Sequence, residues 1–405
     1  MAGIYIHIPF CKQACHYCDF HFSTSLKYKD ELLDAISKEL RLQKDYLAGE
    51  TIETIYFGGG TPSLLTGDEI NKLIGTITNL HLVAANAEIT IEANPDDLSA
   101  EKLRSLRQTH INRLSIGIQS FFDDDLKWMN RVHLADEAES SVKRAQDTGF
   151  ESITADLIYG YPLLTDQKWK SNIQKMFELD VPHISAYSMT VEPRTALASF
   201  IKTKKQPAMN DEQSAAQFIL LMDAMKSHGF EHYEISNFCK PGHYSRHNSN
   251  YWAGVKYLGV GPSAHSYNGE TRQWNVANNS KYIQSLAKSE IPAEVEVLTE
   301  TNRLNEYIMT SLRTMWGLDL NKLEQIAPGS STELLKAAQT AFEREWITQS
   351  EKIIVLTQNG KLYADSIAAD LFFLKRKLCK QVFSKEKNHR APSALSMNSP
   401  RTLRS

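Results

Sequence analysis

Between the N-terminus and about residue 195, short runs dense in Ile, Tyr and Phe alternate with longer stretches whose apolar residues recur every three or four positions. The short runs predict strands at "IYIHI" (4–8), "TIYFG" (54–58), "EITIEA" (88–93), "RLSIGI" (113–118), "ITADLI" (153–158) and "HISAYSM" (183–189). Stretches such as 28–47 and 134–149 predict the helices between them. This alternation predicts an α/β fold with a parallel sheet. Six such units suit a partial (β/α)6 barrel better than a closed barrel of eight. Residues 196–295 are less periodic and rich in His, Asn, Tyr and Gly, and are expected to extend the barrel. Residues 296–380 read as a small, mostly helical domain with a short β element, which resembles a winged helix; Asn359-Gly360 marks a turn there. Residues 381–405 are polar and poor in large apolar side chains, and are expected to be a disordered tail.

Composition narrows the function classes more than the fold. The 405 residues carry 45 Lys and Arg against 48 Asp and Glu, a net charge of −3, so no basic field would recruit nucleic acid. Residues 300–374 hold ten acids and seven bases, which removes the electrostatic footprint of a DNA-binding winged helix. No apolar run reaches the length of a membrane span. Only "MAG" precedes the first apolar run, so no signal peptide is expected and the expected compartment is the cytoplasm. Five cysteines, three of them within eight residues, are unlike a secreted disulfide framework.

Those three form Cys11-x3-Cys15-x2-Cys18, in the loop after the first predicted strand. A structural zinc takes four ligands, and His7, His16 or His21 could complete a Cys3His set. A [4Fe–4S] cluster has four irons, and three thiolates would leave one open to a small-molecule ligand. Other chemically loaded residues also fall at predicted strand ends: Gly58-Gly59-Gly60-Thr61-Pro62 after the second, Glu92 and Asn94 at the third, Gln119 after the fourth and Asp156 in the fifth. Ligand sites of parallel α/β folds lie at the carboxyl ends of the strands, so this order predicts one shared site. The glycine run suits close backbone approach to a ligand and is not a phosphate-binding P-loop, because no Gly-Lys-Ser/Thr follows.

C-x3-C-x2-C with an aromatic before the last Cys, followed by "GGGTP", resembles the radical S-adenosylmethionine (SAM) superfamily. In that superfamily the amino and carboxylate groups of the methionine moiety chelate the open iron, and one electron from the cluster cleaves the sulfonium to give a 5′-deoxyadenosyl radical. "YIHIPFC", "FGGGTPSLL", "TIEANP", "SIGIQSF", "NRVH" and "DLIYGYP" further resemble the oxygen-independent coproporphyrinogen oxidase-like (HemN-like) family, over roughly residues 3–375. The resemblance implies a [4Fe–4S] cluster on Cys11, Cys15 and Cys18. It also implies a SAM pocket of Tyr5, Tyr17, Gly60, Thr61, Pro62, Glu92, Gln119, Arg131 and Asp156.

Two activities compete within the family. Its decarboxylase branch acts on coproporphyrinogen III, carries a further Cys where this chain has Phe20, and has a long extension ahead of the cluster. Only ten residues precede Cys11 here, and that extension is expected to be missing. Its haem-chaperone branch has "CDF" in the loop and an H-N-x-x-Y-W motif, matched here by "HNSNYW" from His247 to Trp252. The expected function is therefore binding haem and passing it to apo-haemoproteins such as respiratory haem enzymes. Decarboxylation or another radical SAM reaction on a tetrapyrrole is the alternative, and a zinc-bound structural module the third class. His247 would ligate haem iron, Tyr251 and Trp252 would pack on the macrocycle, and Asn248 and Asn250 would orient the ligand. The reading also leaves room for peripheral membrane association and a homodimer. Cys239, His243 and His247 have the i, i+4, i+8 spacing of a helical metal site, which Pro241-Gly242 should break. Cys379 has no partner in the sequence that gives it a role.

Overall fold

The computed structural model describes residues 1–373; the expected tail and Cys379 lie outside the described residues. Six parallel strands lie in sequence order: β1 (Ala2–Ile8), β2 (Ile52–Gly59), β3 (Val83–Ala93), β4 (Arg113–Gln119), β5 (Ser152–Tyr159) and β6 (His183–Ser188). Helices α1 (Lys29–Leu42), α2 (Gly67–Leu80), α3 (Ala100–Arg107), α4 (Asp123–Trp128), α5 (Ala135–Asp147) and α6 (Asp166–Glu178) make the crossovers.

The expected strands are all present, the first five extended by one to five residues and the sixth one residue shorter, and form the partial barrel. Each presents two chemically different faces. On β1, Ala2, Ile4, Ile6 and Ile8 are fully buried, while Gly3, Tyr5 and His7 alternate with them. The same alternation sets Ile55 and Phe57 against Thr54 and Tyr56, and Ile89 and Ile91 against Glu88, Thr90 and Glu92. The apolar face packs on helices: α1 buries Leu32, Leu33, Ile36 and Leu40 at helical spacing, and each such side chain contributes ~1.5–3 kcal/mol. The polar face, which most barrels fill with branched aliphatics, is left for chemistry.

Residues 196–295 do more than the sequence foretold. After α7 (Ala196–Lys202) and α8 (Asp211–Ser227), strands β7 (Glu231–Glu234) and β8 (Asn237–Cys239) turn back and lengthen the sheet beyond β6. Helix α9 (Arg246–Trp252) carries the HNSNYW motif, and β9 (Lys256–Val260) then joins β1 in parallel. Strands β10 (His265–Tyr267), β11 (Thr271–Asn275) and β12 (Ala293–Val297) continue antiparallel, with α10 (Asn279–Ala287) before the last. The order β12-β11-β10-β9-β1-β2-β3-β4-β5-β6-β8-β7 runs through twelve strands without β12 meeting β7, so the barrel stays open.

The remaining described residues form α11 (Glu300–Leu312), β13 (Leu318–Asp319), α12 (Leu320–Ile326), α13 (Ser330–Ala337), α14 (Gln339–Glu343), β14 (Ile347–Ser350), β15 (Ile353–Leu356) and α15 (Ala364–Asp370). Their three strands pair antiparallel in the order β13-β15-β14, the helices-plus-small-sheet arrangement expected. Asn359-Gly360 opens a 3-10 turn. Among the described residues no helix is long and apolar enough to cross a membrane.

One buried carboxylate ties the added strands to the barrel. Glu39 on α1 is fully buried and accepts hydrogen bonds from Gly261 N (2.9 Å), Asn275 Nδ2 (2.7 Å), Gln43 Nε2 (2.8 Å) and the Tyr282 hydroxyl. Buried donors deprived of their acceptor cost about 1–3 kcal/mol each. Glu39→Ala is therefore expected to destabilise the fold by about 3 kcal/mol or more, read from the urea midpoint, whereas Glu39→Gln, which keeps an acceptor oxygen, should lose much less. Equal losses would show that the carboxylate is not the tie.

Candidate functional site

The cysteine loop leaves β1 at Pro9 and is fixed at several points before any metal is considered. Cys11 N donates to Ser23 O (3.0 Å), and Ser23 N to Pro9 O (2.7 Å). The segment after α4 clasps the loop from the other side. His16 N donates to Met129 O (3.1 Å), the His16 ring bonds Trp128 O (2.9 Å), and Asn130 Nδ2 donates to Ala14 O (2.7 Å). Gln13 Nε2 returns a bond to Asn130 O (3.0 Å), and Lys12 pairs with Asp96 (2.7 Å) and Asp97.

A chain of polar contacts runs beneath the loop. Thr61 shares a hydrogen bond with the Cys11 thiol and receives Asn94 Nδ2 at 3.2 Å. Asn94 Oδ1 accepts from Arg131 Nη2 (2.6 Å), which also donates to Gly117 O (2.8 Å). Arg131 Nη1 lies 3.5 Å from Cys15 Sγ, which closes the path from one cysteine to another. The three cysteines are half-buried, and burial pushes the Cys11 thiol up to about 11, so a cation is needed to hold it as thiolate. Tyr17 sits within hydrogen-bonding reach of Cys15, and burial raises its phenol.

The glycine run has a local cause. A Cβ on Gly60 would lie 2.6 Å from Phe10 O and 3.0 Å from Cys11 Sγ, so the cysteine loop itself crosses where a side chain would stand. Gly59, at φ +111°, turns the chain and directs its N–H to Glu92 Oε2 (3.1 Å). Pro62 then opens a short 3-10 turn.

Inside the barrel, Glu92 accepts its second bond from the Tyr56 hydroxyl (2.8 Å). Tyr5 stacks on Tyr56 with ring centroids 6.1 Å apart and bonds His7 Nδ1 (3.1 Å). Gln119 ends β4 at φ +67°, a strained value for a residue with a side chain. Its buried Oε1 lacks a hydrogen-bond partner, as do Asp156 Oδ1 and Arg131 Nε. Buried polar atoms are normally paired, so these three are available to a polar ligand. Burial pushes Asp156 up to about 7, against the pull of Ser185 and Arg131. Burial also raises Glu92 to about 7, with the Asp156 charge adding to the effect.

The zinc alternative needs a histidine that converges with the three cysteines. His7 has both ring nitrogens engaged, by the Tyr5 hydroxyl and by His21 O (3.0 Å). His16 bonds Trp128 O through Nδ1 and His21 bonds Asn279 Oδ1 (2.7 Å) through Nε2, so each keeps a second ring nitrogen, but neither meets the cysteines. Among the described residues no group of three His, Cys, Asp or Glu is placed to hold a metal ion. A cubane, which draws each thiolate to a different iron, makes no such demand for convergence on one point.

His247 lies apart from this assembly. It bonds Thr54 Oγ1 (2.9 Å) through Nδ1, and its ring stacks on Tyr56 at 4.9 Å and on Tyr5 at 6.5 Å. Glu88 accepts from His247 N (2.9 Å) and Arg246 N (3.1 Å), and Arg246 Nη2 reaches Glu53 O (2.6 Å). Gly3, Thr54 and Glu88 pair in register one layer below Tyr5 and Tyr56, so α9 enters the barrel from the end opposite the cysteines. Burial lowers His247 to about 4, which keeps the imidazole neutral. Asn248 and Asn250 were expected to orient its ring, but Thr54 does so. Tyr251 packs on Tyr257 (5.4 Å), and Arg313 lies over Trp252 (4.9 Å). Cys239 ends β8 and the helix starts only at Arg246, so the i, i+4, i+8 metal site does not form. Tyr56, Thr54 and Asn130 are the site residues that the sequence reading missed; for Tyr56 the signal was its place on the polar face of β2.

Residues 5–176 match the radical SAM superfamily, and residues 298–363 the HemN C-terminal domain. The haem chaperone HemW of Bacillus subtilis is 35% identical over 371 residues, covering 91% of this chain and 98% of that protein. The haem chaperone HemW of Escherichia coli is 30% identical, covering 90% and 96%. Coproporphyrinogen III oxidase (HemN) of Escherichia coli, described as a radical SAM enzyme, superposes with a TM-score of 0.80 over 92% of this chain and 90% of its own; at 24% identity this likeness concerns the fold.

The raised acids predict a pH dependence for metal-free protein. A carboxyl whose folded pKa is about 7 and whose unfolded pKa is about 4 contributes stability below pH ~4 that is lost as pH rises through 7. Thermal unfolding of the metal-free protein should therefore show this contribution weakening between pH 5 and 8. Asp156→Asn should flatten the slope by removing one titrating group and relaxing Glu92; an unchanged slope would place the cause elsewhere.

Proposed function

Because the chain belongs to the haem chaperone HemW family of radical SAM proteins, we propose that it binds haem and passes it to apo-haemoproteins in the cytoplasm. The observation that carries this reading is His247 of the HNSNYW helix, whose imidazole burial keeps neutral, the form that ligates haem iron. The name of the relatives favours the same activity, and Phe20 stands where the decarboxylase branch carries a further Cys.

In this proposal residues 1–195 are the cofactor core, 196–295 carry the haem motif and 296–380 form the accessory domain. Cys11, Cys15 and Cys18 would hold a [4Fe–4S] cluster, and a bound cluster with SAM would supply one-electron reduction of a sulfonium. Tyr5, Tyr17, Gly60, Thr61, Pro62, Glu92, Gln119, Arg131 and Asp156 would line the SAM pocket. The partnerless Gln119 Oε1, Asp156 Oδ1 and Arg131 Nε support that assignment. Arg131 places a positive charge beside the Cys15 sulfur, and the two carboxyls suit a ligand carrying ribose hydroxyls and a cation.

Haem titrated into protein with its cluster reconstituted anaerobically is expected to give a saturable Soret shift, and His247→Ala to weaken it at least about ten-fold, the loss of one ligand bond. An unchanged spectrum in the variant would remove His247 from the site. Conversion of coproporphyrinogen III to protoporphyrinogen with SAM and reductant would replace the chaperone by the decarboxylase. Cys15→Ala should lower bound iron and sulfide per chain, and an intact cubane in that variant would reject the cluster assignment.

A further inference from the structure

His247 cannot meet haem iron where the structure places it. Its Nδ1 is held by Thr54, one ring face is covered by Tyr56, and its helix is fastened to Glu88 and to Glu53 O. The cleft beside it, lined by Gly3, Thr54, Asn250, Tyr251 and Tyr257, offers about 10 Å³, roughly the room of one water. A porphyrin does not fit, so ligation requires His247 to withdraw from the barrel and uncover Tyr56.

Tyr56 is also the residue that engages the cofactor pocket. Its ring carries His247 and its hydroxyl donates to Glu92 Oε1 at 2.8 Å, while Gly59 N occupies Oε2. Glu92 thus has both oxygens bonded within the protein. A ligand taken up on this carboxylate competes with the Tyr56 hydroxyl, and a displaced Tyr56 no longer offers His247 a fixed ring to stack on. Withdrawal of His247, in turn, releases Tyr56 and frees Glu92.

We propose, on the premise that the chain binds haem through His247, that Tyr56 is a positioning residue coupling the two ends of the barrel, so that filling the Glu92 pocket and ligation of haem by His247 favour one another. Coupling between two sites is reciprocal and commonly amounts to a factor of about five to 150. The coupling runs through one side chain, whose hydroxyl bonds Glu92 and whose ring stacks on His247.

The test is haem titration, followed by Soret absorbance, of cluster-reconstituted protein without and with saturating SAM. SAM is expected to tighten haem binding about five-fold or more, and haem to tighten SAM binding, read by calorimetry, by the same factor. Tyr56→Phe keeps the ring and removes the hydroxyl, and haem affinity should then no longer respond to SAM. Thr54→Val frees His247 Nδ1 without touching the Tyr56–Glu92 bond; it should tighten haem in both conditions alike and preserve the response. Wild-type haem affinity indifferent to SAM, or a full response in Tyr56→Phe with iron content and melting unchanged, overturns the coupling while leaving haem binding intact. Wild type that takes up no haem overturns the chaperone reading itself.

Discussion

The carboxylate of Glu92 is the constraint on which the rest of the barrel interior depends. Its two oxygens bind the Tyr56 hydroxyl and the Gly59 N–H, so one buried acid fixes an aromatic layer and the glycine turn together. The turn in turn brings Gly60 under Phe10 and Cys11, with no space for a Cβ, and Thr61 to the Cys11 thiol. A buried acid with few partners would be a liability in an ordinary core. Here the barrel is open and its inner face polar, and the raised pKa of Glu92 and of Asp156 follows from the loss of solvent around both on that face.

This inner face explains which parts were legible in the sequence. The six strands of the core were readable because alternating faces and helical crossovers leave a local pattern, and the structure moves their ends by only a few residues. The strand-end order of the cysteine loop, the glycine run, Glu92, Gln119 and Asp156 was legible for the same reason: parallel strands place their carboxyl ends together. β9 was not readable. "KYLGV" is short, and what makes it a strand is pairing with β1, from Ala2 opposite Lys256 to Ile6 opposite Val260, at a separation that no local pattern records.

The glycine run shows a motif read for the right place and an incomplete reason. Sequence reasoning assigned the glycines to close approach of a ligand. The nearest obstacles to a Cβ at Gly60 are Phe10 and Cys11, so the first demand comes from the protein's own loop. His247 shows the reverse. Its residue type and aromatic neighbours suggested a haem site, but a sequence cannot say which way a seven-residue helix faces, and here Thr54, Tyr56 and Glu88 draw it into the barrel.

The glycine run and the His247 helix therefore meet at the same pair of strands, β1 and β2, and share one aromatic layer. On β2 the inward residues are Thr54, Tyr56 and Gly58, and four residues of strand span about 13 Å. Thr54 belongs to the His247 end, Gly58 to the cysteine end, and Tyr56 lies between, hydrogen-bonded to Glu92 and stacked on His247. In a closed, aliphatic barrel this layer would be packed side chains with no directional contacts. In this one the layer is tyrosine, stacked on an imidazole and hydrogen-bonded to a carboxyl whose acidity burial weakens. Directional contacts of that kind have two distinct states, made or broken, whereas aliphatic packing yields only graded adjustment. The polar inner face is thus what allows an event at one end of the strands to be felt at the other.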